Sequence, residues 1–189
     1  MQSECCPKLI NNRSKDYQMN LFIETERLYV VAQTKEMAIA SFTDKKQFAE
    51  LLGAEVPAEW PHAMLADAEP FFVDMLTKDP DSVGWWGWYM VLKSSPKKII
   101  GGLGFLGRPS DTGTVVSGYS ILTEFDGNGY TTEALKTLIA WAFKHNNVTS
   151  VAAETYPGNT ASIRVMEKCG MVFIGNGSEE GTIRYERRK

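Results

Sequence analysis

Leu135, Leu138, Ile139, Ala142 and Phe143 recur every three or four residues, so 131–146 is expected to be a helix with one apolar face. The same period predicts a helix over 159–169, with Ile163 and Met166 turned inward, Asn159 as its cap and Gly170 to end it. Three helical stretches precede these, at 35–41, 45–52 and 67–78, with Thr34 and Asp44 where the first two would be capped. Between helices the pattern shortens to apolar, β-rich runs at 28–32, 85–92, 99–106, 114–122, 150–156, 171–174 and 182–186, set apart by turn chemistry such as Pro96-Lys97-Lys98. The order predicts an α/β (α+β) fold: a mixed, mostly antiparallel central sheet with helices on both faces.

The chain has 189 residues, room for one domain, and no internal repeat. Residues 1–20 are polar and aperiodic and are expected to form a mobile arm ahead of a domain spanning 21–189. Lys plus Arg is 20 against 23 Asp plus Glu, a formal charge of −3. A surface that tracks phosphates carries a basic excess, so nucleic acid is not expected as a partner. No apolar run approaches the roughly 18 residues of a membrane span, and the first residues lack a secretory apolar core. Cys5, Cys6 and Cys169 make neither a disulfide framework nor a zinc-ligand spacing. A cytoplasmic protein with no membrane contact and no metal is expected, with Cys5 and Cys6 as bystanders in the tail; a homodimer is compatible with the sequence.

Two segments carry chemistry. Asp126-Gly127-Asn128-Gly129-Tyr130-Thr131 lies between a predicted strand and a predicted helix. Glycines there let the backbone turn its N–H groups toward one point, and the helix adds its positive end, so the segment reads either as a cradle for a pyrophosphate or as a tight strand-to-helix turn. It is no P-loop, for no Gly-Lys-Ser/Thr closes it, and no dinucleotide fingerprint, for the third glycine is missing. About thirty residues on, Asn159-Thr160-Ala161-Ser162-Ile163-Arg164-Val165-Met166-Glu167-Lys168-Cys169-Gly170 opens the second helix.

These two segments, with Gly118-Tyr119-Ser120 and the opening Glu24-Thr25-Glu26-Arg27-Leu28, resemble the GNAT superfamily of acetyl-CoA-dependent N-acetyltransferases, and within it the ribosomal-protein N-terminal acetyltransferase branch. The likeness runs from Glu24 to Ile174. It implies acetyl-CoA as co-substrate and an amine acceptor, either a small molecule or a protein N-terminus. It also implies that Gly127, Asn128, Gly129, Tyr130 and Thr131 hold the pyrophosphate of CoA, that the backbone of Ile121, Leu122 and Thr123 pairs with pantetheine where the sheet splays, and that Asn159, Ser162 and Lys168 line the cofactor, with Arg164 near a phosphate.

The sequence departs from the family pattern at Asp126, where Gln or Arg is usual, and at Asn128, where Lys is common, so the loop brings no positive side chain of its own. Met166 stands where many members carry a tyrosine that protonates the leaving thiolate, and Val116 where this branch often has a glutamate. Ser162 and then Tyr119 are the expected thiolate donors, the N–H of Leu122 the oxyanion donor, and Glu154 the nearest carboxylate to serve as base. Trp85, Trp86, Trp88 and Tyr89, with Trp60 and His62, divide between core and acceptor wall. Trp85-Gly87 and Trp86-Trp88 alternate, so one pair is expected to face each side. A CoA-binding module without turnover, or a nucleotide-binding regulator, are the alternatives.

Overall fold

The computed structural model describes residues 22–189, so the predicted arm and Cys5 and Cys6 lie outside the described residues. The chain enters at β1 (Phe22–Glu24) and β2 (Leu28–Ala32), passes through α1 (Lys35–Thr43), α2 (Lys45–Leu52) and α3 (Ala63–Lys78), and returns to the sheet as β3 (Gly87–Leu92), β4 (Lys98–Phe105) and β5 (Thr114–Ile121). The glycine loop then leads into α4 (Tyr130–Ala142), β6 (Ser150–Thr155), α5 (Thr160–Lys168), β7 (Val172–Asn176) and β8 (Ile183–Arg188). The eight strands form one sheet in the order β1-β2-β3-β4-β5-β6-β8-β7. Every neighbouring pair is antiparallel except β5 with β6.

Local chemistry sets the helix starts. Thr34 accepts from the N–H of Met37, and Asp44 accepts from Lys46 and Gln47, so α1 and α2 are capped where expected. The third helix begins at Ala63, four residues before the expected start, directly after His62. Pro70 therefore sits inside the helix, which loses one intrahelical hydrogen bond there.

Strand alternation splits the apolar side chains between two cores. Val30, Met90 and Leu103 face one side, where they meet Leu135, Leu138 and Ile139 of α4 and Met166 of α5. Val31, Tyr89 and Val91 face the other, against Met37, Phe48 and Leu52 of the first two helices. Helices thus cover both faces. The tryptophan alternation is not realised, because β3 starts at Gly87 and leaves Trp85 and Trp86 in the preceding bend. Trp85 and Trp88 both pack on Trp141, with ring centroids 5.0 and 5.3 Å away, while Trp86 turns to Phe71. Trp60 and Tyr89 are buried in the second core.

Candidate active site

The parallel pairing of β5 and β6 stops early. Its last register pair is Ser117 with Ala153, whereas β6 continues beside β8 through Glu154 and Thr155. From Gly118 onward β5 keeps β4 on one side and has no strand on the other. Val116 accepts from Leu106 of the β4 edge and Leu122 donates to Ile100 at 2.8 Å, so even-numbered residues aim their main-chain groups at β4. Odd-numbered Tyr119 and Ile121 therefore aim theirs into the opening. This corrects the expectation for Leu122, whose N–H is already spent on the sheet: the candidate oxyanion donors are the N–H groups of Tyr119 and Ile121.

Beyond the opening lies the glycine loop. Gly127 and Gly129 both take positive φ, +76° and +80°, a region that side chains disfavour. Every main-chain N–H from Gly127 to Thr132 lacks an acceptor among the described residues, and Gly129 precedes a helix of 13 residues with no side-chain cap. A Cβ on Gly127 would meet nothing within 4 Å. Free donors, open space and a helix N-terminus together fit a diphosphate. Asn128 spends its side chain on the loop itself, donating to the carbonyls of Phe125 and Asp126.

Sequence reasoning missed the residue that fixes this loop. Arg27, just ahead of β2, donates through Nη1 to the Asn128 carbonyl at 3.0 Å, pairs through Nε with Glu133 at 2.7 Å and lies over the Tyr130 ring. Thr25 and the N–H of Arg27 also donate to Glu133. Partial burial pushes the Glu133 carboxyl up, but these hydrogen bonds and the Arg27 charge outweigh it and hold the group below its usual range. The acid at the start of α4 is thereby neutralised, and a cation stands within 3.6 Å of a Cβ at Gly129. The cation beside the loop is thus Arg27, 102 residues before Gly129 rather than at position 126 or 128, and it shares its charge with Glu133.

The two expected thiolate donors lie together. Tyr119 Oη is 2.9 Å from Ser162 Oγ and donates to the Ser162 carbonyl at 3.1 Å. Burial raises the Tyr119 phenol to about 12, so it stays neutral and donates. Ser162 is placed by Asn159, whose Oδ1 accepts from its N–H at the start of α5. The other end of that helix reaches the first turn of α4, just after the glycine loop: Cys169 Sγ is 3.7 Å from the Thr132 carbonyl. The nine residues of α5, roughly 13 Å of helix, thus run from the strand opening to the loop, with Asn159 and Ser162 at one end and Lys168 at the other. Arg164 and Lys168 are exposed on it.

Glu154 is placed otherwise than the sequence suggests. Its Oε1 meets Nη1 of Arg184 at 2.5 Å, and its Oε2 accepts from both the N–H and the hydroxyl of Ser178. Burial raises its carboxyl, yet the Ser178 bonds and Arg184 overcome that and lower it. A carboxylate with its oxygens so occupied binds a proton weakly and fits a brace between β6, β8 and the turn, not a base. Glu154→Gln is expected to leave the transfer rate within about threefold and to lower stability by about 1–2 kcal/mol through the half-unpaired Arg184. Turnover of acetyl-CoA and thermal unfolding measure the two effects; a hundredfold rate loss at unchanged melting temperature would restore Glu154 as base.

On the opposite face of the sheet from the Tyr119 hydroxyl runs a groove of about 210 Å³. Leu65, Ala68 and Phe72 of α3 form its wall, and Gly102, Gly104 and Gly118 its floor. The helix sits so low that a Cβ on Gly102 would be 3.0 Å from Leu65 Cδ2. His62 stands at the N-cap position of α3 without a side-chain capping bond, and its Nδ1 is shut from solvent without a partner among the described residues. No group of three or more His, Cys, Asp or Glu among the described residues is placed to hold a metal, and no helix among them is long and apolar enough to cross a membrane.

Comparison with known proteins points the same way. The family model for the acetyltransferase (GNAT) domain matches residues 30–172. YjdG of Bacillus subtilis, described as an uncharacterised N-acetyltransferase, is 30% identical over 161 residues, covering 84% of this chain and 94% of its own. The ribosomal-protein-S5-alanine acetyltransferase of Vibrio fischeri superposes with a TM-score of 0.61 at 20% identity, over 88% of this chain and 96% of that one. The microcin C7 self-immunity acetyltransferase MccE, solved with acetyl-CoA and AMP, gives a TM-score of 0.59 at 16% identity over 87% and 94%. At these identities the two solved structures speak to the fold.

Proposed function

Since the chain belongs to the acetyltransferase (GNAT) family, with acetyl-CoA as its acetyl donor, we propose that it transfers the acetyl group to a primary amine, on a small molecule or a protein N-terminus, by direct attack. The observation that carries the reading is the run of N–H groups from Gly127 to Thr132 with no acceptor among the described residues, in the loop that follows the free edge of β5. The loop holds the diphosphate and the free edge of β5 at Tyr119 and Ile121 pairs with the pantetheine arm. Asn159, Ser162 and Lys168 of α5 follow the same path.

The acceptor enters from the groove under α3 and the sulfur leaves beside the pair Tyr119–Ser162, so the two partners approach from opposite faces of the sheet. A neutral amine adds to the thioester carbonyl, whose oxygen is met by a main-chain N–H of the β5 edge. Collapse breaks the carbon–sulfur bond; the proton the nitrogen loses balances the one the sulfur gains. The hydroxyl pair of Tyr119 and Ser162, 2.9 Å apart, gives a proton to the departing thiolate and regains one from water. No side-chain base is assigned, and water takes the amine's proton while positioning lowers the barrier.

The test is calorimetry with acetyl-CoA and with ATP, followed by thiol release on adding amines. Binding of acetyl-CoA with amine-dependent thiol release supports the proposal; binding without release across a broad panel favours a CoA-binding module, and binding of ATP alone a nucleotide regulator. Within the enzyme reading, Ser162→Ala is expected to lower kcat on the order of 10- to 100-fold. Tyr119→Phe should do the same and the double variant little worse, since the two hydroxyls act as one relay. Acetyl-CoA affinity should stay within about threefold. Unchanged kcat in both single variants removes the pair from the mechanism.

A further inference from the structure

Resting on the acetyl-transfer reading, we propose that the groove under α3 selects a weakly basic primary amine carried on an apolar body of about one ring, and turns polycations away. Three features of the groove carry this. The first is its chemistry. The wall and floor residues are apolar or glycine, and among the described lining residues Ser120 and Tyr119 carry the polar side chains. Tyr119 borders the groove through its backbone, but its hydroxyl is bonded to Ser162 on the other side of the sheet. Val116 lies on the groove's own face of β5, two residues before Gly118, and adds no charge. Of the titratable groups on or beside α3, the Glu69 carboxyl is enclosed by Gln33, Ser41 and Tyr89, and neither it nor Asp67, Asp74, Lys78 or His62 lines the groove. A polycation would enter with no carboxylate to replace its water.

The second feature is size. About 210 Å³ exceeds the roughly 150 Å³ that suffices for a benzene ring in an apolar cavity, and falls short of the volume of a large metabolite site. The third is the rim. Leu106 at the mouth is 64% exposed and Phe71 49%, and Phe71 and Phe72 both pack on Trp86, so apolar surface continues outward from the groove. Scattered exposed apolar residues mean little, but a contiguous set joined to a pocket marks a binding surface.

The absence of a base in the groove bears on the amine itself. An amine must be neutral to attack. At pH 7.5 an α-amino group of pKa near 8 is about one-quarter neutral, whereas an alkyl ammonium of pKa near 10.4 is neutral about once in a thousand. With nothing in the groove to draw off the proton, that difference passes straight into the rate.

The test compares kcat/KM by thiol release at saturating acetyl-CoA and pH 7.5, using the full chain. L-phenylalaninamide is expected to exceed glycinamide, which has the same kind of amine and no apolar body, by about tenfold or more, and spermidine by about a hundredfold or more. Glycinamide equal to phenylalaninamide, or spermidine as the better acceptor, overturns the inference while leaving acetyl transfer standing. Acetyl-CoA binding with no thiol release for any amine overturns the transfer reading and this inference with it. A hexapeptide beginning with Phe separates the sources: a higher kcat/KM than the amide assigns the groove to chain termini, a lower one to small molecules, and both support the shared chemistry. Ala68→Phe, which fills the groove, should raise KM for phenylalaninamide about tenfold without changing acetyl-CoA affinity. Should that variant fail to fold, Leu106→Asp at the exposed mouth should reduce the preference over glycinamide at least threefold, and an unaltered preference in the folded variants counts against the groove.

Discussion

Gly129→Val is expected to weaken acetyl-CoA binding on the order of 100-fold or more, with the fold retained. The residue holds φ at +80°, where a β-branched side chain is strained by about 1–3 kcal/mol, and each 1.4 kcal/mol is tenfold in affinity. Relief of that strain would turn the peptide planes on either side and redirect the N–H groups that stand without an acceptor among the described residues from Gly127 to Thr132. The new side chain would also stand in the space those groups face, against the Arg27 guanidinium. Gly127→Ala is the milder companion: its φ of +76° carries strain, but a Cβ there meets nothing within 4 Å. A loss of about tenfold is expected there. Calorimetry with acetyl-CoA, alongside thermal unfolding of each variant, checks both. Wild-type affinity in folded Gly129→Val would mean that the loop does not hold the diphosphate.

What could be read from the sequence, and what could not, divides by sequence distance. The glycine loop, the cap at Asn159 and the period of α4 are local patterns, and each element appears within a few residues of its expected place. Tyr119 and Ser162 were both expected beside the strand opening, though nothing in the chain announces that they touch. Pairings formed by folding were invisible. Arg27 reaches Glu133 across 106 positions and Glu154 reaches Arg184 across 30, so the first was missed as a loop cation and the second misread as a free carboxylate. Leu122 failed for a different reason: in a strand a shift of one residue exchanges the two edges as well as the two faces, and composition does not fix that parity. One signal was available. Glu24, Thr25, Glu26 and Arg27 precede the first clear strand as a polar-charged cluster, and such a cluster ahead of a buried strand invites a search for a distant partner.

Glu69 carried a signal as well, a carboxylate in the apolar run Ala68-Glu69-Pro70-Phe71-Phe72, and it leads to the second large effect. The side chain is fully buried between α3 and the sheet, accepting from Gln33 Nε2 at 2.6 Å and from Ser41 and Tyr89. Burial raises its carboxyl to about 8, although the three hydrogen bonds pull the other way. The folded protein therefore holds a proton there that the unfolded chain, with a carboxyl near 4.5, releases. Between those two values the native state binds more protons, so stability falls as pH rises, by up to about 1.4 kcal/mol per unit, and levels off above about 8. The contribution is fully present below pH 4.5. Glu69→Gln keeps the shape and the hydrogen-bonding capacity without the titration. Its stability relative to the native protein should climb between pH 5 and 8 by an amount on the order of a few kcal/mol, read from urea unfolding at both ends. Glu69→Ala should lose about 2–4 kcal/mol at pH 5, since Gln33, Ser41 and Tyr89 would lose their shared acceptor, and the loss should shrink toward pH 8 as the native protein's own stability falls. The consequence extends to the site, because the helix that Glu69 ties to β2 and β3 is the wall of the acceptor groove: the glutamine variant should keep its acceptor KM at pH 8.5 where the native protein's begins to rise. An identical fall in stability with pH in both proteins would show that Glu69 is already ionised in the fold and that the helix is held by its apolar contacts alone.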